Sequence, residues 1–264
     1  MSRGLGSGAR TMTSRLSRWT TVLVTFAGIG LPWLFARKAL DTNDPAAQAV
    51  AFLPAPYAFI IWAPIYTGFL IFAVWQALPA QADNPRVAAI RPWLMLTAVL
   101  NAAWIGAVAV RHPGWTVPII FLMLAVGITM HRVGRIDGAA TKPGEAWLRL
   151  PFSLYVGWLI VATFANVATE LARVGWDGFG WSPVTWGILM IVLSSIVGLV
   201  TRFRLDDPVL GAVFVWAYLA IVVQQQERPL VGLFAGIAAA LCLLSLFVRD
   251  RKAPHSTHSE CAEV

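Results

Sequence analysis

Residues 56–69 read PYAFIIWAPIYTGF. The stretch is apolar enough for hydrocarbon, yet it carries Tyr57, Trp62, Pro64 and Tyr66. An element that only had to cross a bilayer would need nothing beyond Leu, Ile and Val. The apolar run continues to residue 78, close to the roughly 20 residues a transmembrane helix requires. Seven similar runs lie around it, at 19–36, 92–110, 115–131, 149–169, 184–201, 208–223 and 229–248. Of the 264 residues, 58% are hydrophobic and 12% charged, against about 25% charged in a soluble domain. These runs predict an all-α fold, a polytopic membrane helical bundle of about eight spans.

The formal charge is +7. Its carriers are scattered through short loops rather than gathered on one face, so no nucleic acid is expected as a partner; the lipid bilayer is. The placement follows the positive-inside rule. With the N-terminus inside, the inner segments hold Arg3, Arg10, Arg15, Arg18, Arg86, Arg91, Arg132, Arg135, Lys142, Arg149, Arg202, Arg204, Arg249, Arg251 and Lys252. The outer loops hold Arg37, Lys38, Arg111, Arg173 and Arg228. This asymmetry predicts a multi-pass protein of the cell inner or plasma membrane with both termini cytoplasmic. The Arg-rich, acid-free start resembles a signal peptide, but the first run is long and FARKAL is a poor cleavage site, so a retained helix is expected. Met12 is an alternative start to Met1.

All thirteen acidic residues fall in loops or at helix ends, and no Lys or Arg lies mid-span. Ion-coupled transporters usually need ionisable groups inside the membrane, so coupling is disfavoured. The spans therefore lack the carboxylate or His–carboxylate pairs on which most hydrolytic chemistry relies, and the chain shows no Cys or His cluster and no Gly-rich phosphate loop. Cys242 and Cys261 offer neither a disulfide framework nor metal-ligand spacing. No catalytic residue, no metal and no required cofactor are expected, and His131 reads as a structural interfacial histidine.

Thirteen tryptophans need an account. Interfacial belts explain those near span ends but not Trp62, Trp104, Trp158 and Trp216, which lie deeper. Counted from the outer ends at about 1.5 Å per residue, Trp62 lies about 8 Å deep and Tyr66 about 14 Å. Trp104 and Asn101 of the next span come to about 9 and 14 Å, while Trp158 and Asn166 come to about 17 and 5 Å. Trp62 with Tyr66, Asn101 with Trp104, and Trp158 with Asn166 each share a helix face. The amides cannot face lipid, where an unpaired group costs several kcal/mol. They either bridge helices or edge an aromatic-walled pocket. Pro64 is expected to kink the second span between Trp62 and Tyr66.

Three stretches in order resemble the TspO/MBR family of tryptophan-rich sensory or translocator proteins: AFIIWAPIYTGF at 58–69, LNAAW at 100–104 and LPFSLYVGWLIVATFAN at 150–166. The resemblance covers about residues 20–172. It implies a TspO-like five-helix core with a ligand pocket lined by Trp62, Tyr66, Asn101, Trp104, Trp158 and Asn166, with 37–55 as its lid. It also implies a hydrophobic ligand such as a tetrapyrrole (protoporphyrin IX or haem), and a homodimer in short members. This chain departs from the family in placing proline after Trp62 and in adding three spans. The expected organisation is a basic cytoplasmic segment 1–18, the ligand-binding core 19–172, a three-helix extension 173–248 and a disordered polar tail 249–264. The extension carries the small-residue faces Gly232/Gly236/Ala240 and Ser194/Gly198, suited to close packing. Three functions follow in order: a sensory or ligand-binding protein, an uncoupled transporter of porphyrin-like compounds, and a tetrapyrrole-degrading enzyme. A transport path would have to continue through Ser153, Ser194 and Ser195.

Overall fold

A computed structural model describes residues 16–30, 44–110, 113–135 and 149–248. Most of the basic segment, the first part of the lid, the inner loop 136–148 and the polar tail lie outside the described residues.

The described residues form helices and no strand. Helix α1 covers 16–25 and continues into the π-helical turn Phe26–Gly30. It is followed by the short α2 (Pro45–Ala49) and a 3₁₀ helix, Pro56–Ile61, that runs into α3 (Trp62–Trp75). The remaining helices are α4 (Pro85–Ala109), α5 (Pro113–Arg135), α6 (Leu150–Arg173), α7 (Pro183–Leu205), α8 (Pro208–Gln224) and α9 (Pro229–Ser245). Proline opens α2, the 3₁₀ helix, α4, α5, α7, α8 and α9, a position where its missing N–H deletes no bond and its φ suits the helix. Asp44, Asn84, Ser182 and Asp207 stand just before α2, α4, α7 and α8, and each side chain accepts a backbone N–H of the first turn.

Among the described residues, five helical segments are long and apolar enough to cross a membrane: Pro56–Trp75, Pro85–Ala109, Gly114–Gly134, Leu150–Arg173 and Pro183–Leu205. Helices α8 and α9 are apolar but have 17 residues each. The chain is therefore an all-α polytopic membrane bundle.

Helix α6 is its mast. It packs against α2, α3, α5, α7 and α8, and 67% of its most apolar window is buried, more than in any other span. Small residues let its neighbours approach. A Cβ built on Gly157 would stand 2.9 Å from Val213 Cβ of α8, and one on Gly68 of α3 would stand 2.5 Å from the Pro151 ring. Gly157→Leu is expected to cost about 1–3 kcal/mol, the usual range for overpacking, read as a lower thermal midpoint in detergent. Gly106→Leu, whose Cβ direction meets nothing within 4 Å, serves as the control.

Two expectations change. Pro64 does not kink a running helix: it is the third residue of α3, and the bend is replaced by the switch from 3₁₀ to α winding at Ile61 and Trp62. The Trp62 and Tyr66 rings are stacked with their centroids 4.9 Å apart, so no gap opens between them. The small-residue faces of the extension also differ from each other. Gly198 seats the Phe214 ring, whereas a Cβ on Gly232 or Gly236 would meet nothing within 4 Å and Ala240 is exposed. The first face is packed inside the chain and the second points away from it.

Candidate functional site: an aromatic and amide cluster

Four of the six expected residues meet through direct contacts. The Tyr66 hydroxyl donates to Asn101 Oδ1 at 2.9 Å, joining α3 to α4. The Trp62 ring stacks on Tyr66, with centroids 4.9 Å apart and planes 18° from parallel. Trp158 of α6 meets Trp62 edge-on at 6.4 Å. All four residues are buried. One helical turn brings Trp62 and Tyr66 to the same side of α3, and the 3₁₀ turn before them places Phe59 edge-on against Trp158 at 5.5 Å.

The other two stand at the margin. Trp104 is partly buried and packs on the core one turn from Asn101, and among the described residues no ring contact joins it to the stack. Asn166 donates from Nδ2 to Thr116 Oγ1 of α5 at 3.3 Å, so this amide bridges helices. Sequence reasoning missed Phe59 and Tyr155. Tyr155 is fully buried and touches both Trp62 and Phe69 edge-on. Its position, one turn before Trp158 on the buried face of α6, was the available signal.

The cluster is well packed as rings and poorly satisfied as a polar site. Among the described residues, Asn101 Nδ2, Trp104 Nε1 and Trp158 Nε1 are buried donors with no hydrogen-bond partner, and Asn166 Oδ1 is a buried acceptor with none. A buried group left unpaired costs about 1–3 kcal/mol.

At the opposite, Arg-rich end lies a cavity of about 260 Å³, lined by His131, Arg149, Phe152, Ser153, Asp206 and Asp207 among others. His131 is not isolated. Its Nε2 is 2.7 Å from Asp207 Oδ2, and Ser153 Oγ donates to the same oxygen at 2.6 Å. Asp207 Oδ1 accepts the Val209 N–H. Burial pushes the Asp207 carboxyl up, but the hydrogen bonds from His131 and Ser153, the His131 charge and the Val209 N–H outweigh it and hold the group below its ordinary value. Ser153 faces the carboxylate and not the imidazole, so the trio does not activate a nucleophile. One carboxylate fastens α5 and α6 to the start of α8.

No curated protein and no solved structure matches the chain. A family model described as TSPO-like protein matches residues 16–248, a range that takes in the last three helices together with the first ones. With the helical bundle, this match places the chain in the TSPO-like protein family.

Proposed function

We propose that this multi-pass TspO-type protein binds a flat hydrophobic molecule of the tetrapyrrole class in the cluster of Trp62, Tyr66, Asn101 and Trp158, with Trp104 and Asn166 at its rim. The observation that carries the reading is the set of orphaned buried donors beside a stacked ring pair. A porphyrin supplies what the cluster lacks: a π-face for Trp62 and carboxylate or ring-edge acceptors for Asn101, Trp104 and Trp158. Binding, without chemistry, suits residues that include no proton-transfer pair. The site lies in the outer half of a protein of the inner or plasma membrane, both termini in the cytoplasm, as the distribution of arginine suggests.

A carrier draws less support. Ser153 is bonded to Asp207, and Ser194 and Ser195 both meet the Tyr218 hydroxyl at 2.9 Å. The three hydroxyls are occupied by the protein itself.

The test is saturable quenching of tryptophan fluorescence by protoporphyrin IX in detergent. Trp62→Phe combined with Asn101→Ala is expected to raise Kd by tenfold or more, equivalent to about 1.4 kcal/mol. Unchanged affinity in a folded double variant would remove the site.

A further inference from the structure

Two arginines meet at the Arg-rich end of the bundle, where α1 starts and α3 stops. Gln76, fully buried just past α3, holds them together. Its Nε2 donates to the Arg18 and Ala73 carbonyls, both at 2.9 Å, and its Oε1 accepts from Arg91 Nε at 2.7 Å. Nitrogen and oxygen of the amide are both engaged, so the plane of the Arg91 fork is fixed. Arg18 Nη1 donates to the Ala77 and Leu78 carbonyls at 3.4 Å. The two cations are near enough to repel each other.

Arg91 is 5% exposed, and a guanidinium carries five N–H donors. Among the described residues its one hydrogen bond is to Gln76, and its Nη2 is buried with no partner. No carboxylate pairs with it among those residues, and Asp83, in the loop just before α4, is exposed. The negative end of α3 accounts for a cation here, a contribution of about 0.3–1 kcal/mol. It does not account for a second cation whose N–H is buried and unbonded, because an uncompensated charge is costly to bury.

We propose that the Arg91 fork, with the charge of Arg18 beside it, binds the phosphate group of an anionic phospholipid. The planar guanidinium matches phosphate through paired N–H bonds, and basic pockets between spans near a membrane surface take lipid headgroups. The surroundings favour a lipid over a free phosphate. Leu16 and Trp19 flank Arg18 on α1, and Leu78 supplies one of the carbonyls that Arg18 bonds; all three side chains are exposed. They offer acyl chains an apolar surface next to the cations. The site is separate from the aromatic cluster, since Asn101 lies about 15 Å farther along α4.

The experiment uses the full chain, stripped of lipid in detergent, with thermal midpoints followed as phosphatidylglycerol, phosphatidylcholine or inorganic phosphate is added. Phosphatidylglycerol is expected to raise the midpoint saturably. Phosphatidylcholine, whose choline offsets the phosphate charge, and inorganic phosphate, which has no chains, should raise it much less. Arg91→Gln should raise the Kd for phosphatidylglycerol about tenfold or more, the effect of losing one charged hydrogen bond. Arg132→Gln, which removes an exposed arginine at the same end, should leave that Kd unchanged. Without lipid, Arg91→Gln should be at least as stable as the parent, because it removes an uncompensated buried cation. A purely structural arginine would instead lower the midpoint equally with and without lipid, and that result would overturn the site. So would a parent that phosphatidylglycerol does not stabilise, or an equal loss of binding in Arg132→Gln. Equal stabilisation by inorganic phosphate would overturn the lipid as the source of the anion. If the glutamine variant folds poorly, Arg91→Lys keeps the charge and loses the fork. It should still weaken binding, and unchanged binding there would overturn recognition by the fork.

Discussion

Asp207→Ala is expected to destabilise the protein by about 3 kcal/mol, because it leaves the buried groups of His131 and Ser153 without their partner, at about 1–3 kcal/mol for each. Three bonds end on this carboxylate: those from His131, Ser153 and the Val209 N–H. Their loss unties α5 and α6 from the start of α8 and removes the cap of that helix. Asp207→Asn should cost less than half as much. The amide oxygen keeps the cap, and a change of His131 tautomer lets Nε2 accept from the new NH₂. The acid limb supplies a second reading. The folded pKa of Asp207 is held below its unfolded value, so its contribution is fully present above the ordinary carboxylate value near 3.9 and is lost as pH falls through the lower folded one. Thermal midpoints measured from pH 6 downward should fall less steeply at the acid end in Asp207→Asn than in the parent. Equal slopes would show that this pair does not control acid stability.

Trp158→Ala is the second large effect. The side chain is 1% exposed and meets Trp62 and Phe59 edge-on, so its removal leaves a cavity in the middle of α6 and should cost about 3–5 kcal/mol. Trp158→Phe separates packing from polarity. Phenylalanine retains much of the ring contact and deletes Nε1, a donor that has no partner among the described residues. Removing an unpaired buried N–H offsets part of the lost volume, so stability should fall by less than about 1.5 kcal/mol, the limit for well-tolerated apolar exchanges. Porphyrin affinity should fall several-fold if the ligand accepts from that N–H. Equal loss of stability in the two variants would mean that the ring edge, not the cavity, governs this position.

Much of this was legible because the bilayer is a strict solvent. Runs of about 20 apolar residues have few alternatives to helix, and Asp44, Asn84, Ser182 and Asp207, each followed by proline, mark helix starts by local chemistry. The meeting of Trp62, Tyr66 and Asn101 followed from depth and helical phase. Three things did not follow. Proline at position 64 reads equally as a kink or as part of a first turn, and only the neighbouring 3₁₀ winding separates the two. The pairing of His131 with Asp207 joins residues 76 apart in sequence, across helices whose order of packing no periodicity encodes. The separation of Asn166 from the stack depended on Thr116, an inconspicuous residue on a different helix.

The lengths of the helices carry a consequence for the lipid. Helix α4 has 25 residues and α6 has 24, about 36–38 Å of axis, against a hydrocarbon core of roughly 30 Å. Helices α8 and α9, at 17 residues each, reach only about 25 Å. One flank of the molecule must tilt to fit the bilayer while the other draws the leaflets toward it. The protein should accordingly be sensitive to acyl-chain length, with thinner membranes relieving α8 and α9 while demanding more tilt of α4 and α6.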